Sequence, residues 1–300
     1  MLPPEVAGNR SMQRQWEIER MANGRSALFR EGLCEQYDLP YLQDGDPRHT
    51  LDLIRPERAE GKLPVILEIH GGGYIACEKN INRLHSRAYA QMGFAVVNGD
   101  YTLHPEGDFL TDLWELAAIV NWVADAAEEN GFDLNQVYMS GDSAGGHLVL
   151  LYAMLQGSPA MAERLGILPG RIRLQAVAAT CPAFRLSGEG PAGAAIRSFV
   201  GLMYPEGVSE DYLEQFDVLR LVQESEYPPL IVITTPDDEL LYAEDLELEN
   251  ALQERGRPYA FRVYESRENR LGHVFNVLYP EFAESEEANR DIAAFFLQHG

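Results

Sequence analysis

Val137-Tyr138-Met139-Ser140-Gly141-Asp142-Ser143-Ala144-Gly145-Gly146 is the stretch that decides the fold. A short, mostly apolar run enters a Gly-x-Ser-x-Gly pentapeptide, and the helix-like stretch 148–155 follows it. That order predicts a strand turning sharply into a helix. A serine at such a turn holds a strained backbone conformation, and glycines two residues to either side let strand and helix approach without side-chain clashes. Its hydroxyl then stands out at the sheet edge, beside the positive end of the helix. Taken alone, the pentapeptide reads equally well as a glycine-rich turn packed for structure. The rest of the chain decides between the two.

Working outward, short apolar runs alternate with longer helical patterns, the arrangement of βα units building a mostly parallel sheet flanked by helices. Strands are expected at 51–54, 65–70, 95–98, 137–140, 174–180, 230–235 and 260–264, and helices at 83–92, 109–130, 144–155, 243–255 and 284–298. Several strands lack alternation, as strands covered on both faces do. The 300 residues fit one α/β domain spanning 1–300 with insertions. Two stretches break the pattern. Residues 8–33 place Met12, Trp16, Ile18 and Met21 at roughly helical spacing before the first expected strand, and 184–223 is too long for an ordinary connection. Both are expected to form a helical cap over the crevice at the carboxyl ends of the strands.

Composition narrows the function. With 24 Lys and Arg against 47 Asp and Glu, the formal charge is −23, a surface that repels phosphate backbones and anionic membranes. Nucleic acid is therefore not an expected partner. Cys34, Cys77 and Cys181 are too widely spaced for a zinc pattern or a dense disulfide framework, so a reducing cytoplasm is the expected setting. No apolar run has the length of a membrane span, and the first sixteen residues carry charges where a signal peptide needs an apolar core. A stable membrane anchor is not expected; a homo-oligomer is compatible with the sequence.

His70-Gly71-Gly72-Gly73 directly follows the apolar run 65–69. Successive glycines leave backbone N–H groups uncovered, and acyl transfer needs such donors aimed at the developing oxyanion, each contributing about 3 kcal/mol. Gly72, Gly73 and the N–H of Ala144 are the expected donors. A serine hydroxyl also needs a base, and the base needs a partner to fix its tautomer. Of seven histidines, His273 lies after the last expected strand and before the final helix, where a serine–acid–histidine order requires it. The acid should follow a strand between them. Pro236-Asp237-Asp238-Glu239-Leu240 offers three adjacent carboxylates, with Asp238 favoured, Asp237 open as the alternative, and the one left over expected to cap the next helix. Tyr74, Ile75 and Cys77 follow the glycine loop, where they either line a pocket or simply pack; no catalytic role falls to Cys77.

These residues resemble the hormone-sensitive-lipase-like esterases and lipases within the α/β-hydrolase fold. The resemblance rests on His70-Gly71-Gly72-Gly73, on Asp100-Tyr101-Thr102-Leu103-His104-Pro105-Glu106, on the Gly-Asp-Ser-Ala-Gly-Gly run at 141–146, and on Pro228-Pro229 leading to Asp238 with His273 downstream. It implies Ser143 as nucleophile, Asp238 as acid, His273 as base and Gly72, Gly73 and Ala144 as oxyanion donors. Counting from the Pro-Pro pair selects Asp238 over Asp237. The chain departs from the family pattern at Thr102 and His104, at Val274 where glycine is common, and at Asp238-Glu239-Leu240, where Asp-Pro-Leu is usual. The implied activity is a serine carboxylesterase working through an acyl-enzyme without metal or organic cofactor; short-chain acyl esters are the expected substrates, because so acidic a chain lacks the long exposed apolar segment that docking on lipid droplets needs. Two other readings remain open: an arylformamidase or other amidase on the same triad, and a non-catalytic small-molecule-binding homologue.

Overall fold

The computed structural model describes residues 2–22, 24–186, 190 and 192–300. Its strands are β1 (Leu33–Pro40), β2 (Thr50–Pro56), β3 (Leu63–Ile69), β4 (Ala95–Gly99), β5 (Phe132–Asp142), β6 (Val177–Thr180), β7 (Leu230–Thr234) and β8 (Tyr259–Val263). They form one sheet in the order β1-β2-β4-β3-β5-β6-β7-β8. β1 and β2, and β2 and β4, run antiparallel; every later pairing is parallel. The helices are α1 (Pro4–Arg20), α2 (Arg83–Gln91), α3 (Phe109–Asn130), α4 (Ala144–Gly157), α5 (Pro159–Leu165), α6 (Gly193–Met203), α7 (Glu210–Leu213), α8 (Val218–Glu224), α9 (Tyr242–Arg255), α10 (Phe275–Leu278) and α11 (Ala283–His299).

The apolar strands are explained by two cores. Val65, Leu67, Val137, Met139, Val177 and Val232 face one side of the sheet, while Ile66, Tyr138, Ala178 and Ile231 face the other. Both faces are covered, so period-two alternation survives in the contacts but not in the polarity. Each fully buried Val, Leu or Ile contributes roughly 1.5–3 kcal/mol. α4 is buried from Ala144 to Leu155, and a helix apolar all round is what that position requires.

Every expected strand has a counterpart, with shifted ends; the stretch 174–180 pairs only over Val177–Thr180. β1 was not expected. It is an edge strand with a polar, half-exposed pattern, and its ladder with β2 shifts between Gln36 and Leu39, around Asp38 at φ 54°, so it carries little hydrophobic signal. The first irregular stretch is helical from Pro4, earlier than expected, with proline at the start of the helix where its missing N–H costs nothing. The second contains α6, α7 and α8; Ser187, Gly188, Glu189 and Pro191 of it lie outside the described residues.

α1 is held down largely through guanidinium groups. Arg10 donates from Nε to the Ile75 carbonyl at 2.7 Å and from Nη2 to the His104 carbonyl at 2.9 Å, and pairs with Glu106. Arg20, buried, reaches the carbonyls of Ile81 and Leu278.

Candidate active site

The turn between β5 and α4 shows why its sequence is glycine-rich. Ser143 sits at φ 52°, ψ −118°, a strained conformation for a residue with a side chain. A Cβ on Gly141 would lie 2.4 Å from the Gly145 carbonyl oxygen, and one on Gly145 would lie 2.2 Å from that of Ile69. Helix, turn and β3 touch backbone to backbone. The Ser143 N–H donates to the Thr180 carbonyl at 2.9 Å, tying the turn to β6 as well.

Ser143, His273 and Asp238 come together although they follow three different strands. Ser143 Oγ lies 2.9 Å from His273 Nε2, and His273 Nδ1 lies 2.7 Å from Asp238 Oδ2. Because an ionised carboxylate only accepts, Nδ1 carries the proton and Nε2 presents its lone pair to the hydroxyl. The imidazole is about one-third exposed while the Asp238 side chain is fully buried, at 32% and 0%. Burial pushes the Asp238 carboxyl up, but the hydrogen bond to His273, its charge, and the N–H groups of Leu241 and Leu240 outweigh that and hold it below the ordinary carboxylate value.

The neighbouring acids divide their work differently from the expectation. Asp238 itself accepts from Leu240 N–H and Leu241 N–H through Oδ1, at 3.0 and 3.1 Å, so the residue on His273 is also the one bonded to the backbone leading into α9. Asp237 does not cap that helix; its Oδ2 accepts the N–H of Leu271 at 3.0 Å.

Gly72 and Gly73 line the same cavity as Ser143, with φ of 122° and 60°. Ala144 is buried at the first position of α4 and does not line the cavity; its backbone N–H is the group of interest. The glycine loop rests on the 100–106 segment, whose composition alone carried no meaning. His70 Nε2 is 3.5 Å from Asp100, its ring stacks on Tyr101 at 4.5 Å, and Tyr101 donates to the His70 carbonyl at 3.1 Å. His104 N–H holds the Tyr74 carbonyl at 2.9 Å. The unusual His104 forms a buried pair with Asp112 at 2.9 Å, and Thr102 donates to Glu115 at 2.6 Å.

The cavity has a volume of about 490 Å³ and is mostly apolar. α1 contributes Met12, Gln13 and Trp16; α6 contributes Ile196, Phe199, Val200 and Met203. Tyr74 and Cys77 line it, whereas Ile75 is packed in the core. Among the described residues, no lysine or arginine lines the cavity. Burial pushes the Cys77 thiol up to about 12, which keeps it a poor nucleophile. The other histidines are engaged elsewhere: His147 accepts from Tyr74 at 2.7 Å and donates to the Phe216 carbonyl at 2.8 Å, and burial pulls it down to about 4. Ligand atoms of Cys181, Asp238 and His273 lie within 4.8 Å of one another. Burial, with the charges of Asp238 and Asp245, keeps the Cys181 thiol protonated, and Nδ1 of His273 is already bonded, so this donor set fits a metal ion poorly. Arg10, Phe199 and the Asp237–Leu271 bond went unread in the sequence, because each is a long-range contact with no local pattern.

A family model described as BD-FAE matches residues 51–252, two thirds of the chain. The chain belongs to the BD-FAE family. Across 97% of this BD-FAE chain and 93% of the other, the structure superposes on esterase B of Lactobacillus rhamnosis with a TM-score of 0.87 at 26% identity. The same esterase bearing a C4-C4 tributyrin phosphonate inhibitor gives 0.88, again at 26% identity over 97% and 93% of the two chains. Together with the sheet order, these matches make the fold that of the α/β hydrolases. Bovine hormone-sensitive lipase is 28% identical over 40% of the BD-FAE chain and 16% of its own length. Esterase LipI of Mycobacterium tuberculosis is 34% identical over 33% and 30%. The BD-FAE chain thus spans less than a third of the length of these curated relatives, and the kinship with hormone-sensitive lipase expected from the motifs holds.

Proposed function

We propose that the chain is a serine carboxylesterase that hydrolyses short-chain acyl esters through an acyl-enzyme. Ser143 is the nucleophile, His273 the general base, Asp238 the acid that fixes and stabilises it, and the N–H groups of Gly72, Gly73 and Ala144 receive the oxyanion. The observation that carries this reading is the hydrogen-bonded chain from Ser143 Oγ through His273 to Asp238, at 2.9 and 2.7 Å, opening on an apolar cavity. α1 and the 184–223 segment act as its cap.

His273 Nε2 takes the Ser143 proton as Oγ attacks the ester carbonyl, and Asp238 stabilises the imidazolium that forms. Donors already fixed in the fold meet the oxyanion without reorganising, which is where most of the rate gain arises. His273 returns the proton to the departing alcohol. Water, deprotonated by the same imidazole, then attacks the acyl-serine, releasing the carboxylic acid and restoring Ser143.

A lining without lysine or arginine favours neutral esters, and the related esterase inhibited by a tributyrin phosphonate favours short acyl chains. Three free cysteines favour a cytoplasmic setting. Turnover of p-nitrophenyl acetate, p-nitrophenyl octanoate and N-formylkynurenine by the purified protein tests the reading. Acetate should be preferred, and Ser143→Ala should lower turnover by at least about a thousandfold. Dominant formamide turnover would make the protein an amidase instead, and undiminished hydrolysis by Ser143→Ala would remove the mechanism.

A further inference from the structure

Asp237, Asp238 and Glu239 follow β7 as consecutive carboxylates, and all three reach the same short segment of the loop that carries His273. Glu239 pairs with Arg270, Asp237 accepts from Leu271 N–H at 3.0 Å, and Asp238 meets His273 Nδ1 at 2.7 Å. The Glu239–Arg270 pair is open to solvent, with side chains 81% and 67% exposed, and such pairs hold little.

The Asp237 bond is placed differently. Leu271 buries its side chain in the core beside Phe275, while its backbone N–H turns toward the acid loop. Gly272 and Val274, flanking His273, both adopt left-handed backbone with φ of 71° and 51°. Glycine takes that backbone freely, but a β-branched valine does not, so the segment just past His273 is held by its surroundings rather than by its own preference. Asp237 is itself fixed, its N–H donating to the buried Thr235 hydroxyl at 3.2 Å.

We infer that Asp237 is a positioning residue: by accepting the Leu271 N–H it sets where the base loop leaves the core, and so sets the reach of the imidazole to Ser143 Oγ. The inference rests on the reading of Ser143, His273 and Asp238 as the reacting triad. A displacement of about 1 Å at a reacting group can cost on the order of a hundredfold in rate, so one loop-anchoring bond has leverage.

What the role requires is an acceptor oxygen at one place, not a negative charge. Asp237→Asn keeps an oxygen there; Asp237→Glu keeps the charge and moves the oxygen outward; Asp237→Ala removes both. With p-nitrophenyl acetate, kcat should fall about tenfold or more in Asp237→Ala and Asp237→Glu, KM should stay within about twofold, and Asp237→Asn should recover kcat to within about threefold. Inactivation by diethyl p-nitrophenyl phosphate, which reports Ser143 reactivity, should rank the variants in the same order. Full activity in Asp237→Glu, or a loss in Asp237→Asn as deep as that in Asp238→Asn, overturns the inference. If Asp237→Ala does not fold, the Asn and Glu variants carry the comparison alone. Failure of the underlying reading would show separately, as hydrolysis that survives Ser143→Ala.

Discussion

Phe199 on α6 rests directly on Gly73 of the glycine loop: a Cβ added to Gly73 would lie 2.6 Å from a Phe199 ring carbon. The ring therefore stands over a proposed oxyanion donor and closes one wall of the cavity. Phe199→Ala should open that wall to longer acyl chains. The ratio of kcat/KM for p-nitrophenyl octanoate over p-nitrophenyl acetate is expected to rise at least about tenfold, the lower end of what a single methylene is worth in an apolar pocket. An unchanged ratio in a folded variant would assign chain-length selection to another wall.

Asp238→Asn leaves the shape of the acid loop while altering what Nδ1 of His273 can do. An amide in that place can donate to the ring and favour the tautomer with its proton on Nε2, facing Ser143. A fall in kcat of about ten-thousandfold with little change in thermal stability is expected. Steady-state kinetics beside a melting curve checks it.

Gly145 has no room for a side chain. A Cβ there would lie 2.2 Å from the Ile69 carbonyl oxygen and 2.5 Å from that of His70, both backbone atoms that cannot rotate aside. Gly145→Ala should destabilise the fold by at least about 2 kcal/mol. Its melting temperature relative to wild type, read by circular dichroism, decides the matter.

Glu106 links α1 to the segment under the glycine loop. Burial alone would raise its carboxyl, but hydrogen bonds from Arg10 and Arg48 outweigh that and hold it at about 2, against an ordinary 4.5. It stays ionised in the fold where the unfolded chain takes up a proton. Its stabilisation is therefore complete above pH ~4.5 and is lost as the pH falls toward ~2. The side chain is about one-third exposed, at 34%, so the contribution is no more than about 1 kcal/mol. Glu106→Gln should melt slightly below wild type at neutral pH, and the gap should close under acid.

The nucleophile turn, the glycine loop and the parallel strands were legible because each writes its requirement into adjacent residues: a glycine two places from Ser143, an apolar run before His70. β1 was hidden because an edge strand with Gln36 and Asp38 exposes polar side chains and needs no apolar face. The choice between Asp237 and Asp238 could not come from local chemistry, since both are aspartates after the same strand; only the register of the turn distinguishes them. Arg10 bonding to Ile75, 65 positions away, and Asp237 to Leu271, 34 away, depend on how distant loops meet, and no periodicity records that.

Val274 adds a consequence of its own. A β-branched residue at φ 51° immediately after the proposed base stores a backbone cost of about 1–3 kcal/mol, met only while the packing around it stays intact. On warming, that segment relieves strain by letting go, whereas the strands of the parallel sheet hold no such strain to relieve. Heat should therefore silence the protein before it melts it, with esterase activity fading while the far-ultraviolet signal of the sheet and helices still stands, and with recovery on cooling as long as the sheet has not followed.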